Sequence, residues 1–545
     1  MSTKISTYLQ QHIHGEATAA PDIRRWFSTD ASIFTQVPAI VVYPANEYDV
    51  RKTARFTWQL AERGQVLPIT ARGAGSDMSG AAIGRGIIVT FPAHMHRILA
   101  LDSQKRTVTV DPGISFVTLE QTLHTHGLFM PTYPASYLYA TIGGAVANNS
   151  SGEKSVKYGA MKQFVTGLHV VLANGEVIET KRLSKRELKK KMGLTTFEGE
   201  IYRQIDGLIK DNEQLIKNNA PKLARSVTGY DIGSVRDKKG TTDLTPLFIG
   251  SQGTLGIITE ITLKVEPHNP IVATNLIMFD DLDKAFEVIP QILKLEPSAI
   301  ELMDEHALNM IQIVNSKLLQ EFITGPLPKA MILVEFDDQK VSTQKKKLRK
   351  LSKIARAYAV DGVAELNDVG RKEQMWKLRY LSSMSAWGQV GGKKPVPIIE
   401  DASVPVEELA GFVKDVRKVF AKYRLTPALW GSVGEGNVHF WPRLDLGQTG
   451  DRQVVFRLMD EYYGLVLAHR GVVSSAHNDG RIRGMYLPKF AGKDMYMLYK
   501  TIKKAFDPYG TLNPDVKIDV KPSEVKPLIR KEYTTSHLGQ HIPHI

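Results

Sequence analysis

Three glycine-rich texts in this sequence have the makings of an anion cradle. The first, ITARGAGSDMSG at 69–80, sets Arg72, Gly73, Ala74, Gly75, Ser76 and Asp77 directly after a short apolar run. Without a Cβ, glycine lets backbone N–H groups turn toward a phosphate and approach it closely. Arg72 would add charge at the same place. Taken alone, this text also fits an ordinary tight turn at a strand end. The second stretch, 131–159, holds Pro134, Ser136, Thr141, Gly143, Gly144, Asn148, Ser151, Gly152 and Tyr158. Its small residues admit a flat ring or a diphosphate against the backbone, and its hydroxyls and amides offer neutral hydrogen bonds. The third, FIGSQGTLGIITE at 248–260, brings Gly253, Gly256 and Ile257 to the start of a strand. Three such loops at strand ends suit a long dinucleotide. No GxGxxG opens a helix after a first strand, which disfavours a Rossmann domain, and GxxxxGK[ST] is absent.

The elements that must position these loops can be read from hydrophobic spacing. Residues 1–35 read as a helical lead-in. Strands are expected at 39–44, 66–70, in GIIVTF and TVTVDPG, in HVVLANGEVIET with a hairpin turn at Asn174–Gly175, and at 256–267. A helix is expected from Glu47 to Arg63. From about 270 to 465 the text changes to helices (282–295, 340–358, 406–423) alternating with strands such as KAMILVEFD, which suggests a separate α+β domain. Helix returns in GKDMYMLYKTIKKAFD.

Composition narrows the chemistry. The sequence has 545 residues and no cysteine. That excludes disulfides, thiolate nucleophiles, thiolate zinc sites and cysteine-ligated iron–sulfur clusters within it. The formal net charge is +13. Such a field attracts anions, and its densest run is Lys181 to Lys191. That run reads as a solvated helix face or exposed loop, with a peripheral membrane contact as the alternative. No nucleic-acid module accompanies it, so no nucleic-acid partner is expected. With no apolar leader at the start and no spanning apolar run, a cytoplasmic protein is expected, peripheral at most on the inner face of a membrane.

Several texts in a fixed order carry a family resemblance. They are STDASIF (28–34), PAIVVYPANEYDV (38–50), RGAGSDMSG (72–80), PASYLYATIGGAVANNSSG (134–152) and GSQGTLGIITEITLKVEP (250–267). Further on come IELMDEHAL, MWKLR, DASVP, GSVGEGNVHF, the stretch 471–484 and DPYGTLNPDVKI. Together they resemble the vanillyl-alcohol-oxidase type of FAD-binding oxidoreductase, in its D-lactate, glycolate and D-2-hydroxyglutarate dehydrogenase branch. The resemblance implies an α+β fold. A bipartite FAD-binding domain of two α+β subdomains is expected at 36–268 and an α+β substrate (cap) domain at 269–465. Segment 466–518 would return to the FAD domain, and 519–545 would form a peripheral tail. The flavin pyrophosphate would meet the backbone of 73–77, and Asn513 joins the expected cofactor set. Covalent attachment needs a His or Cys at particular places. Position 76 is Ser and Cys is absent, so noncovalent FAD is expected.

The same resemblance points to the reacting end. Flavin oxidation of an alcohol needs a base for the hydroxyl proton and a hydride acceptor at flavin N5. His477 is the expected base, although a His in a turn also has a plain structural reading. Arg379 is the expected carboxylate anchor and Lys394 a second cation. Many relatives hold a divalent metal with two His and a Glu. Here Ser432 and Ala476 replace two of these and His439, counted with the catalytic residues, remains. No metal, or a displaced one, is therefore expected. The expected reaction is oxidation of a small, D-lactate-like 2-hydroxy acid to the 2-keto acid. A different alcohol substrate, or a flavin-binding subunit with little turnover, are the alternatives. Electrons are expected to pass directly to a quinone, a carrier protein or O2.

Overall fold

The β-branched runs build the first sheet. In this computed structural model, which describes residues 2–541 apart from 224, 324, 359–362, 367–368 and 385–391, Ile40–Tyr43 and Ile69–Arg72 lie parallel on either side of Ile87–Thr90. Such apolar strands suit a sheet covered on both faces. The strand expected at 66–70 begins later, at Ile69. Pro68 has no N–H to give the ladder, and its carbonyl accepts from Ile87 N at 2.8 Å. Helix Glu47–Glu62 is capped by Asn46 and buries Val50, Thr53, Ala54, Thr57 and Ala61, spaced along one helical face.

The lead-in is more than helical. Between helices Ser2–Gln10 and Pro21–Trp26 lies strand Glu16–Thr18, which pairs antiparallel with Ile40–Tyr43. The buried Asp49 carboxylate fixes this approach. It accepts from the backbone N–H of His14, Gly15 and Ala45 at 2.8, 2.9 and 2.8 Å.

A second, antiparallel sheet runs in the order Ile98–Asp102, Thr107–Val110, Ile257–Lys264, Val165–Val171, Val177–Thr180. Its last hairpin turns at Asn174–Gly175, where Gly175 has φ +84°. Helix Lys493–Phe506 returns to this unit and packs Leu498, Tyr499, Ile502 and Phe506 into its core. The chain then crosses to the first sheet, where Ile69 N donates to Thr511 O (2.7 Å) and Asn513 N to Ile69 O (2.8 Å).

The remaining large sheet is antiparallel. Its order is Val363–Leu366, Ala273–Phe279, Ala330–Phe336, Ala299–Asp304, Ala428–Gly431, His439–Trp441. The period-two alternation of strand side chains divides it into two faces. Ile277, Ile300 and Ile332 pack with helices Leu282–Leu293, Val341–Ala357 and Leu409–Lys422. Leu276, Met303 and Leu333 pack on the other side with Glu305–Val314 and Val369–Met384. The last two strands deliver Trp430, His439 and Trp441.

The segment after 518, expected to be a peripheral tail, runs along the surface as a strap with a few buried anchors. Thr35 N donates to Leu528 O (2.8 Å), Arg530 N to Ile33 O (3.0 Å) and Tyr533 Oη to Ala31 O (3.0 Å). Arg530, Tyr533, His537 and Leu538 are buried. The loop at 28–35 offers unpaired backbone groups, and the strap satisfies them. The basic run forms helix Lys185–Met192 with a Ser184–Glu187 capping box and an exposed Lys face. Among the described residues, no helix is long and apolar enough to cross a membrane.

Candidate active site

One cleft, about 1770 Å³ with its open mouth included, joins the glycine loops to the cap sheet. Arg72, Gly73, Ala74, Gly75, Ser76 and Asp77 line it from the first loop. Pro134, Ser136, Thr141, Gly143, Gly144 and Asn148 line it from the second, and Gly253 and Gly256 from the third. Arg379, His439 and His477 line the same cleft.

The cradle is set by close backbone approach. A Cβ on Gly73 would stand 2.2 Å from Thr141 Oγ1, and one on Gly75 (φ +75°) 2.2 Å from Arg72 Nη2. The Arg72 guanidinium therefore lies against its own loop. It donates to Thr29 O (2.8 Å) and Ala82 O (3.2 Å), and burial lowers its pKa to about 10. Asp77 accepts from the N–H of Ser79 (3.0 Å) and Ala81 (2.7 Å) and from Asn148 Nδ2 (3.1 Å), which ties the first loop to the second. Gln252 ties in the third, since its Nε2 donates to Ser79 Oγ and Asn148 Oδ1, both at 3.0 Å. Loops approached this closely, lined by small residues and neutral donors, fit a dinucleotide.

Five residues expected in the cofactor wall do not line the cleft. Ser151 Oγ accepts from Arg225 Nε (2.8 Å), and Tyr158 Oη donates to Asp337 (2.8 Å). A Cβ on Gly152 would stand 1.9 Å from Tyr133 O, so this glycine serves chain packing. Ile257 lies in the apolar core between the sheets. Asn513 acts from behind, donating to Ala81 O (2.9 Å) and Gln252 O (2.8 Å).

At the reacting end, His477 Nδ1 pairs with the Glu400 carboxylate. The other Glu400 oxygen lies 2.8 Å from Arg483 Nη1, and both of these side chains are fully buried. The neighbouring Asp401 carboxylate accepts from the N–H of Ser475, Ala476 and His477 at 2.9, 2.8 and 2.8 Å, holding the turn that carries the imidazole. Burial disfavours charge on His477, yet Glu400 outweighs it and raises the pKa. Burial likewise opposes the Glu400 carboxylate, but His477 and Arg483 hold it well below the usual range. His439 pairs through Nδ1 with the Glu400 carbonyl and is lowered by burial. Its ring stacks between Trp430 (5.8 Å) and His477 (5.7 Å). Buried Arg379 pairs with buried Glu301, and Glu301 and Glu153 hold its charge against the effect of burial.

Lys394 does not reach this end. Its Nζ donates to Tyr533 O (3.0 Å), and it is not among the residues lining the cleft. The strap it grips does line the cleft, through Tyr533, Thr535 and Leu538, and His537 Nε2 lies 3.1 Å from Gly75 O.

Counting ligands by motif left His439 alone. The structure changes that count, because Glu400, His439 and His477 bring ligand atoms within 4.8 Å of one another. Both Nδ1 atoms are engaged by Glu400, one through its carboxylate and one through its carbonyl. An imidazole held in this way is oriented for proton transfer or for metal ligation at its other nitrogen. Arg483 on the second Glu400 oxygen already balances the carboxylate charge, and the hydrogen-bonded reading takes the first course. Glu400 was not singled out from sequence, although its place beside Asp401 after the apolar text VPII marked two carboxylates entering a core.

Comparison with known proteins now has a geometry to meet. Residues 38–181 match the family described as FAD binding domain, and 269–516 match FAD linked oxidases, C-terminal domain. The D-2-hydroxyglutarate dehydrogenase of Escherichia coli (strain K12) is 30% identical over 518 residues, 93% of this chain and 50% of that protein. The glycolate oxidase subunit GlcD of Bacillus subtilis (strain 168) is 28% identical, covering 90% of this chain and 91% of that one. Among solved structures, p-cresol methylhydroxylase with substrate bound superposes with a TM-score of 0.69 at 13% identity, over 95% of this chain and 96% of that one. The 4-ethylphenol oxidase of Gulosibacter chungangensis gives 0.68 at 14%, over 96% and 97%. The chain thus carries both an FAD binding domain and an FAD linked oxidase C-terminal domain, and its fold is similar to those of the two solved flavoenzymes. It spans about half the length of the D-2-hydroxyglutarate dehydrogenases it matches. The matched FAD binding domain identifies the cofactor as FAD. The vanillyl-alcohol-oxidase-type fold accounts for the architecture, with two sheets around the glycine loops and a cap sheet over them.

Proposed function

We propose that this protein oxidises a 2-hydroxy acid to the 2-keto acid. The observation that carries the reading is a single cleft shared by the dinucleotide cradle, the buried Arg379 and a His477 held by Glu400. The names of the relatives, which include a D-lactate dehydrogenase of Arabidopsis thaliana at 26% identity, support the same class of substrate.

Arg379 would bind the substrate carboxylate through its planar guanidinium, with Glu301 fixing its orientation. Glu400 takes the Nδ1–H of His477, which leaves Nε2 as the basic nitrogen. His477 then accepts the hydroxyl proton as the C–H hydrogen leaves with its electron pair. When bound, FAD supplies the hydride acceptor at N5. The proton ends on His477 Nε2 and the carbonyl forms on the former alcohol carbon.

Anaerobic mixing of the flavin-loaded protein with D- and L-2-hydroxy acids tests this. Bleaching of the flavin band by one enantiomeric series is expected, slowed by about 10²–10⁴-fold in His477→Ala. Bleaching by unrelated alcohols and by no hydroxy acid would overturn the reading. The reoxidant is expected to be a quinone, a carrier protein or O2, and mixing the reduced protein with each identifies it.

A further inference from the structure

The wall beyond the cradle carries more aromatic surface than charge. Tyr380, Trp430 and Trp441 line it beside Arg379, His439 and His477. The rings form a continuous series. His477 lies 5.7 Å from His439, His439 lies 5.8 Å from Trp430, and Trp430 meets Trp441 edge-on at 5.2 Å. Trp430 and Trp441 are buried, and the indole N–H of Trp441 has no acceptor. A buried donor normally has a partner, so this one awaits an oxygen.

The cations divide differently. Among the described residues lining the cleft, the only Lys or Arg side chains are Arg72 and Arg379. Arg72 is held within the cradle by Thr29 O and Ala82 O. Lys394 gives its ammonium to Tyr533 O, and Arg483 is sealed behind Glu400. One guanidinium, already facing Glu301, therefore serves the substrate. A second carboxylate placed along the two indoles would be buried without a counter-charge.

Resting on the hydroxy-acid reading above, we propose that the substrate carries a single carboxylate and a large apolar or aromatic side chain, which lies along Trp430 and Trp441. Arg379 takes the carboxylate, the indole surface takes the side chain, and the Trp441 N–H takes a substrate oxygen. A dicarboxylic 2-hydroxy acid is selected against, because its distal charge has no partner.

The test is anaerobic stopped-flow reduction of the flavin-loaded chain by both enantiomers of 3-phenyllactate, lactate and 2-hydroxyglutarate. One enantiomer of phenyllactate is expected to exceed lactate by about tenfold in specificity, and 2-hydroxyglutarate by about a hundredfold. Trp441→Ala is expected to lower the phenyllactate-to-lactate ratio by about tenfold. Reduction by 2-hydroxyglutarate at or above the phenyllactate rate would overturn the proposal and leave the hydroxy-acid reading standing. An unchanged ratio in Trp441→Ala would also overturn it. Flavin that dithionite bleaches but none of the six acids touches would reject the hydroxy-acid reading and this proposal together.

Discussion

Glu400 binds His477 at Nδ1 with one carboxylate oxygen and Arg483 with the other. This fixes which imidazole nitrogen carries the proton and which is free to act. It also makes the charge of His477 depend on a group that never meets solvent.

Activity should therefore follow the imidazole. Glu400 raises the His477 pKa despite burial, so the base form appears only as pH climbs through that raised value. The rate should rise along the same limb. In Glu400→Gln the limb should move to lower pH, and the plateau should fall by about 10–100-fold. A pH profile of flavin reduction whose limb stays in place in this variant would sink the assignment.

Stability should follow the pair in two directions. The His477 contribution is fully present below the unfolded imidazole value of about 6.5, and is lost as pH rises through the raised folded value. The Glu400 contribution is present above the unfolded carboxyl value of about 4.3, and is lost as pH falls through the depressed folded value. Melting temperatures of the wild-type chain relative to His477→Gln should differ most between about pH 5 and 6.5. A difference independent of pH would contradict the pairing.

Arg379 should show a split between binding and turnover. Arg379→Lys keeps the charge and loses the planar fork, so KM should rise by about tenfold with a smaller fall in kcat. Arg379→Met leaves Glu301 buried without its partner and should lower the melting temperature. Steady-state kinetics and calorimetry on the two variants separate these effects.

The hydrogen-bonded reading of Glu400, His439 and His477 makes a statement about metals. Dialysis of the flavin-loaded protein against a chelator should leave the rate of flavin reduction unchanged. Stoichiometric metal by elemental analysis, with activity lost on chelation and restored by the ion, would show the trio to be a metal centre.

The strap should hold the cofactor. Tyr533 and Leu538 line the cleft, and His537 lies against the carbonyl of Gly75. Tyr533→Ala or Leu538→Ala should raise the FAD dissociation rate by about tenfold, on the basis of the apolar area removed. The return of free-flavin fluorescence after dilution measures it. Wild-type release rates in both variants would place the strap outside the cofactor site.

The cradle was legible because its constraint is local. Gly73, Gly75, Gly143 and Gly144 stand where backbone must approach closely, and only a narrow set of residues allows that. Sheets and helices followed from apolar spacing for the same reason. Glu400 was less legible because a carboxylate earns meaning from distant partners, and Arg483 is 83 positions away. Lys394 misled through its charge, since nothing in sequence showed that Tyr533 O would take its ammonium. The strap was hidden by its lysines. Val520, Val525, Tyr533 and Leu538 are buried among them, but too irregularly for a helix or strand period to reveal.

The strap also sets an order of events. Tyr533, Thr535 and Leu538 are the last walls of the cleft to leave the ribosome, long after the loops at 73–77 and 134–148 have been made. The cradle itself is closed little earlier, since Asn513 donates to Ala81 O and Gln252 O from behind it. The pocket's floor and its cover are therefore both completed by late residues, although the glycine loops that touch the ligand come from the first half of the chain.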